Sequence, residues 1–424
     1  MYNINLFNYQ KEILKRTEKY NKVAYYLDMG LGKTFVGSEK LKMLDNDTNL
    51  IICQKSKVND WIEHFKKYYN YHIFDLTKKA NFRWFFMEKE KKVGIINYDL
   101  IYRREELNNL KDFTLILDES SVIGNHRSKR TKAILKLNYS NLILLSGTPS
   151  CKYERLYPQL KMLGYKESMN NYIESFCKYY INKKQGFPLK IITGYKNINY
   201  LKKLMLKYGC IFLKTNEVID LPKMITIDVN IDNIAEYKKF KNDGIISFFN
   251  KKLIGDTSLK KMLYMRQICS IYNHNKLIAL NDLINSTDDR IIIFYNFNDE
   301  LTLIRYICEK NNKPISVING AEKNLKNYEN QNNSITLVQY QSGAMGLNLQ
   351  KANIIIYFSP CLSSELYEQS KKRINRIGQV NTCFYYNLVV KNSIEEKIYN
   401  NLALMNDYTL KLFEKEQDGS GKAI

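Results

Sequence analysis

Short runs of aliphatic, β-branched and aromatic residues alternate along this chain with longer amphipathic stretches rich in lysine. Val23–Leu27, Asn49–Cys53, Val93–Asn97, Thr114–Asp118 and Leu142–Ser146 are apolar at most positions. So are Arg290–Tyr295, Ile315–Ile318, Thr336–Gln339, Ile354–Phe358 and Cys383–Val390. Near-continuous apolar runs of this length predict strands covered on both faces, and the helical patterns between them predict parallel crossovers. Two successive sets predict two α/β lobes in tandem. Between the sets the texture changes. Residues 150–280 carry helical periodicity (Leu201, Leu204, Met205; then Leu259, Met262, Leu263, Arg266, Gln267) and few strand signals. A helix is not expected to cross Leu221-Pro222-Lys223, because proline removes a donor and clashes with the preceding turn. The expected division is therefore a first lobe over 1–220, with a helical insertion at about 150–215. A second lobe over 221–424 is expected to carry a helical segment at about 232–285.

Composition narrows the class. Of 424 residues, 45% are hydrophobic and 25% charged, which excludes disorder as the main state. No apolar stretch approaches the roughly 18 residues needed to span a bilayer, and the N-terminus shows no secretory pattern. A cytoplasmic protein without membrane partners is expected. The charge is unusual: 65 Lys and Arg against 43 Asp and Glu, net +22. A polyanionic partner, nucleic acid above all, accounts for such an excess. An A/T-rich genome accounts for it too, since Lys, Asn, Ile and the 33 Tyr share A/T-rich codons. Charge alone does not separate the two. Eight cysteines stand singly and there are only 4 His, so neither disulfides nor a structural metal is expected. The tyrosines form no obvious cluster in sequence and read as core residues.

Candidate chemistry begins at Asp28-Met29-Gly30-Leu31-Gly32-Lys33-Thr34, which follows one predicted strand and opens a predicted helix. Glycines there let successive N–H groups converge on phosphate oxygens at a helix N-terminus. Lys33 is expected to reach the β- and γ-phosphates, and Thr34 to ligate Mg²⁺. Leu27 stands where the usual first glycine of such loops would be. A second strand ends in Asp118-Glu119, presenting two carboxylates at the edge where α/β sheets bind ligands. Asp118 is the expected Mg²⁺ ligand, and Glu119 the group that orients or deprotonates water.

With those two motifs in order, the chain resembles superfamily-two nucleic-acid motors, and within them the Swi/Snf family of DNA translocases. Asp28–Thr34 is similar to that family's first motif, and Phe7-Asn8-Tyr9-Gln10 to the element whose Gln reads adenine. Asn49–Phe65 resembles the next motif, including Trp61, with Gln54 at a usual Pro. Asn97-Tyr98-Asp99 and Leu144–Pro149 (LLSGTP) resemble later ones. In the second half, Met265–Cys269 and Gln341–Gln350 resemble further motifs. Gln369–Gln379 (QSKKRINRIGQ) matches at both arginines and the closing Ile-Gly-Gln. The motif at Asp118 reads Asp-Glu-Ser-Ser, without the Ala or Gly and the His typical of relatives. Asn375 replaces a His, and Lys372 an Asp.

The resemblance implies two RecA-like P-loop lobes and ATP hydrolysis in the cleft between them, with movement along double-stranded DNA. It implies Arg373 and Arg376 as arginine fingers, expected three apart on one helix face. It also implies nucleotide contacts at Gln10, Asp28, Met29, Gly30, Leu31, Gly32, Lys33, Thr34 and Gly346. DNA contacts are expected at Lys55, Ser56, Lys57, Asn97, Tyr98, Ser342 and Gly343. Coupling is expected through Ser146, Gly147, Thr148 and Gln369. ATP and Mg²⁺ are the implied cofactors, and double-stranded DNA the implied partner ahead of RNA or single strands. So bare a core is expected of a viral or mobile-element protein, acting in the host cytoplasm, or of one subunit in a larger system. Two rivals stay open: a strand-separating helicase of the same superfamily, and a nucleic-acid-binding regulator without productive turnover.

Overall fold

Each apolar run named above forms a strand. The computed structural model describes residues 4–150, 152–182, 189–248, 251–343 and 347–413. The chain divides into two compact units, Met1–Val218 with Tyr408–Ile424, and Ile219–Asp407, so the second ends earlier than the expected 424. In the first, β1 (Lys22–Leu27), β2 (Thr48–Cys53), β3 (His72–Asp75), β4 (Lys92–Asn97), β5 (Thr114–Asp118) and β6 (Asn141–Ser146) lie in one sheet. A hairpin follows, β7 (Cys177–Asn182) with β8 (Leu189–Tyr195), and then β9 (Cys210–Leu213) joins the sheet edge beside β1. The order is β3-β4-β2-β5-β6-β1-β9, and every pairing is parallel. The strand order reverses direction between β1 and β5, so the loops leaving those strands open at one sheet edge.

The second unit begins with β10 (Met224–Ile231) and a hairpin of β11 (Ile245–Phe248) and β12 (Lys251–Ile254). Its remaining strands are β13 (Ile291–Tyr295), β14 (Ile315–Ile318), β15 (Lys323–Asn324), β16 (Ile335–Gln339), β17 (Ile354–Tyr357) and β18 (Cys383–Val390). The sheet order is β10-β18-β17-β13-β16-β14-β15, parallel except for the antiparallel β14–β15 pair.

The apolar runs are continuous because both faces of each sheet are covered. Along β13, Ile291, Ile293 and Tyr295 enter one core, while Ile292 and Phe294 enter another on the opposite face. The same alternation recurs in β17, with Ile354 and Ile356 on one side and Ile355 and Tyr357 on the other. At roughly 25 cal/mol per Å² of apolar surface removed from water, such two-sided strands dominate the stability of each unit.

The region expected to be mainly helical is corrected in both units. The hairpin β7–β8 and strand β9 lie inside the stretch 150–215, and the hairpin β11–β12 lies inside 232–285. These strands escaped the sequence pattern because they are short or exposed. Strand β10 is solvent-exposed over most of its length and gains its identity from register against β18. Period-two burial is weak wherever one face and one edge remain wet.

Two polar features sit inside these cores. Lys276 and Glu395 form a fully buried ion pair in the second unit, with Lys276 Nζ 2.7 Å from both carboxylate oxygens. Several buried tyrosines carry hydrogen-bonded hydroxyls: Tyr25 to Thr17, Tyr69 to Ser38 and Glu39, Tyr357 to Ser370, and Tyr367 to Asn387. Tyr153, Tyr157, Tyr165 and Tyr172 also pack into one aromatic cluster that extends to Phe176 and Tyr195. The seven described cysteines are buried free thiols. Among the described residues, no helix is long and apolar enough to cross a membrane.

Candidate active site

The loop from β1 to the helix Lys33–Leu44 turns through two left-handed glycines, Gly30 at φ +87° and Gly32 at φ +70°. A side chain at Gly32 would meet strain from φ and also a collision, because a Cβ would lie 2.4 Å from Gln10 Nε2. Gln10, on the N-terminal helix Asn8–Arg16, crosses over that glycine. Its Nε2 donates to Leu31 O (3.0 Å), and its Oε1 accepts from Phe7 N (3.0 Å). Tyr9 OH also donates to Leu31 O, and the Phe7 and Tyr9 rings stack at 5.7 Å beside the loop. Gln10 is therefore held against the loop and keeps a second N–H and a second lone pair for a ligand.

Lys33 Nζ donates to Leu27 O at 3.1 Å, so its ammonium lies in the concavity of the loop. Asp28 closes the other side. One carboxylate oxygen accepts from Met29 N (2.9 Å), and the other from Thr215 Oγ1 (3.0 Å), just beyond β9. Thr215 lies 187 residues from Asp28 and had no signal in the sequence.

At the end of β5, Asp118 and Glu119 emerge together. Glu119 sits in the left-handed region at φ +55°, a conformation costing on the order of 1–3 kcal/mol for a non-glycine residue. Such strain concentrates where a side chain must be aimed. Asp118 Oδ2 accepts from Trp61 Nε1 (2.9 Å), and its backbone carbonyl accepts from Tyr98 OH (2.9 Å). Burial, with the Glu119 charge second, pushes the Asp118 carboxyl up to about 6; Trp61 and Lys33 pull the other way. A cation beside it would favour the charged form. Asp118's other oxygen and the Thr34 hydroxyl are hard oxygen donors of the kind Mg²⁺ takes, so the residues present fit that ion.

The Ser146-Gly147-Thr148-Pro149 loop reaches the same place. A Cβ on Gly147 would lie 3.2 Å from Lys33 Nζ and from Met29 Cγ, so this loop packs directly on the loop after β1. Ser146 Oγ donates to Thr148 O (2.9 Å) and lies 3.4 Å from Glu119 Oε2. Lys33, Asp118, Glu119, Ser146 and Gly147 thus share one neighbourhood.

Other expected residues are placed differently. Lys55 and Ser56 are exposed on the short turn Lys55–Lys57 after β2, and Lys57 pairs with Asp60 at 2.7 Å. Asn97 and Tyr98, expected on a nucleic-acid surface, are 4% and 2% exposed. Tyr98 is spent on Asp118: its ring packs in the core and its hydroxyl braces the Asp118 carbonyl. The sequence read Trp61 only as part of a motif, and its bond to Asp118 becomes visible only once strands β2 and β5 pair.

In the second unit the helix Ser364–Lys371 stops before either arginine. Arg373 and Arg376 lie in the irregular turn that follows, not on one helix face as expected. Arg373 N donates to Ser370 O, and Arg373 O accepts from Leu349 N. The Arg376 guanidinium bonds the Asn348 side chain. Gln379 holds the turn from within, donating to Ala352 O (2.8 Å) and accepting from Val380 N and Asn381 N. Asn375, at the substituted His, donates to Pro222 O (2.9 Å). Gln369 is half-buried on the preceding helix. Ser342 and Gly343 end the short helix Tyr340–Gly343 after β16, whereas Gly346 lies outside the described residues.

Comparison with known proteins agrees on the family. Residues 6–275 match the SNF2-related domain, and residues 275–378 the helicase conserved C-terminal domain. An uncharacterized ATP-dependent helicase of Mycoplasma genitalium is 26% identical over 439 residues, covering 93% of this chain and 41% of that protein. A Caenorhabditis elegans homolog of the SWI/SNF-related, matrix-associated, actin-dependent regulator of chromatin subfamily A-like protein 1 is 22% identical, covering 93% and 60%. The SWI2/SNF2 ATPase core of Sulfolobus solfataricus, solved in complex with double-stranded DNA, is 24% identical with a TM-score of 0.44, covering 94% of this chain and 91% of that one. The chain spans about two-fifths of the length of its Mycoplasma relatives.

Proposed function

The chain belongs to the SNF2-related family, and on that premise we propose that it is an ATPase that moves along double-stranded DNA without separating the strands. What carries the reading is the packing of Gly147 on Lys33. A motor must convert the state of a γ-phosphate into movement of backbone, and here a second loop lies against the lysine that would hold that phosphate.

In this reading Gln10 and the Phe7–Tyr9 pair receive the base, the loop Asp28–Thr34 cradles the phosphates, and Lys33 binds their terminal oxygens. Thr34 and Asp118 would hold Mg²⁺, which when bound would neutralise phosphate charge. Glu119 orients the attacking water and accepts its proton. Arg373 and Arg376 stabilise charge on the transferring phosphoryl group; their fixed planar donors suit that task better than lysine. Lys55, Ser56, Ser342 and Gly343 remain the proposed contacts to DNA phosphates, and Gln369 a proposed coupling residue.

The experiment is ATP hydrolysis measured with duplex DNA, single-stranded DNA, RNA and no nucleic acid, beside triplex-displacement and fork-unwinding assays. Stimulation by duplex DNA and displacement of the third strand are expected, with Glu119→Gln inactive. Robust fork unwinding would move the protein to the strand-separating class. Absence of stimulation, with Glu119→Gln indistinguishable from wild type, would overturn the motor reading.

A further inference from the structure

Gln159 is fully buried on the helix Tyr157–Leu163, and its amide joins three separate segments of the first unit. Its Oε1 accepts from Tyr26 OH on β1 (3.0 Å) and from Ser120 Oγ just after Glu119 (2.8 Å). Its Nε2 donates to Pro149 O at the end of the Ser-Gly-Thr-Pro loop (3.0 Å). Chemistry fixes the orientation of this amide. The Pro149 carbonyl can only accept, so it must face the NH₂ group, and the two hydroxyls can then donate to the carbonyl oxygen.

We propose that Gln159 is a positioning residue that transmits the state of the Asp118–Glu119 carboxylates to the Ser146–Pro149 loop. It stands outside the candidate site itself. Each of its bonds ends close to that site: Tyr26 is two residues before Asp28, Ser120 follows Glu119, and Pro149 is two residues after Gly147. The bond to Ser120 anchors the residue that directly follows the left-handed Glu119, so a shift of that carboxylate pulls on the amide. The receiving loop has an unsatisfied group to exchange. Thr148 Oγ1 is buried with no hydrogen-bond partner among the described residues, so a second arrangement of this loop can gain a bond. A residue that served packing alone would need none of these polar connections, and a leucine would fill the volume. The Ser120 bond exists because this motif reads Asp-Glu-Ser-Ser; an alanine or glycine there has no hydroxyl to offer.

The inference rests on the ATP-motor reading only for its DNA measurement. The test uses the full chain as wild type, Gln159→Met (near in volume, without the amide) and Ser120→Ala (a small change that removes one bond). Amide hydrogen exchange across residues 147–152 is measured with and without a non-hydrolysable ATP analogue and Mg²⁺, beside the affinity for that analogue. The expected result is a nucleotide-dependent change in wild type that falls at least about threefold in both variants, with nucleotide affinity held within about threefold. Stimulation of turnover by duplex DNA is expected to fall in parallel. A full wild-type response in Ser120→Ala or in folded Gln159→Met overturns the proposal, as does wild type showing no response in this segment. If duplex DNA fails to stimulate even wild type, the motor reading fails while the exchange result still decides this one.

Discussion

Trp61 Nε1 donates a 2.9 Å hydrogen bond to Asp118 Oδ2 from a fully packed ring on the helix Val58–Tyr68. That bond opposes the burial and the Glu119 charge that push the Asp118 carboxyl upward. Removing it with Trp61→Phe should weaken Mg²⁺ at Asp118, in line with the roughly 10- to 100-fold losses typical of groups that orient metal ligands. A Mg²⁺ titration of ATP hydrolysis checks this. The half-saturating concentration should rise about tenfold, and an unchanged value would show that the bond serves packing only.

The two close-packed glycines predict different defects. Gly32→Ala places a Cβ 2.4 Å from Gln10 Nε2 at a left-handed φ, so nucleotide binding should be lost. Gly147→Ala asks only that Lys33 Nζ and Met29 Cγ move by a few tenths of an ångström. There the KM for ATP should rise roughly fivefold, about 1 kcal/mol, with less effect on kcat. Steady-state kinetics with equilibrium binding of a labelled nucleotide separates the two.

His64 gives a pH dependence of stability. It packs among Phe35, Trp61, Phe65, Tyr68 and Tyr69 and bonds Ser38 Oγ on the helix Lys33–Leu44. Burial lowers its pKa from 6.5 to about 4. Below pH 6.5 the unfolded chain binds a proton here that the folded chain refuses, so stability is lost as pH falls from about 6.5 to about 4. The full loss is roughly 3 kcal/mol. Urea midpoints across that range should slope downward in wild type and less steeply in His64→Gln.

The buried pair of Lys276 and Glu395 predicts an asymmetric mutational response. Lys276→Met strands a fully buried carboxylate, and should cost about 3–5 kcal/mol. Adding Glu395→Leu should recover part of that. It should not recover everything, because Glu395 Oε2 also accepts from Val390 N, and an orphaned amide costs about 1–3 kcal/mol. Denaturation of the single and double variants measures both.

The legible part of the molecule was the part set by short-range chemistry. Strands such as Thr114–Asp118 and Cys383–Val390 were readable to the residue, because burial on both faces keeps most of their positions apolar. The loop Asp28–Thr34 was readable because its glycines answer a local demand on φ. What stayed hidden depends on partners far along the chain. Strand β9 is four residues that become a strand by pairing with β1, and Thr215 braces Asp28 across 187 residues. Tyr98 looked like a surface contact because a short motif carries no information about burial. Arg373 and Arg376 were expected on a helix by their spacing alone; the helix ends at Lys371, and Gln379 shapes the turn that carries them.

The buried tyrosine hydroxyls have a consequence for how this chain can change. Tyrosine and phenylalanine codons differ by a single base, so a drifting genome exchanges them readily. In most cores that exchange is mild. Here Tyr26 holds Gln159, Tyr98 holds the Asp118 carbonyl, Tyr69 holds Ser38 and Glu39, and Tyr367 holds Asn387. Each of these hydroxyls is matched to a neighbour that would be left unpaired without it. A single-base change to phenylalanine at these positions is therefore costly unless the partner changes in the same step.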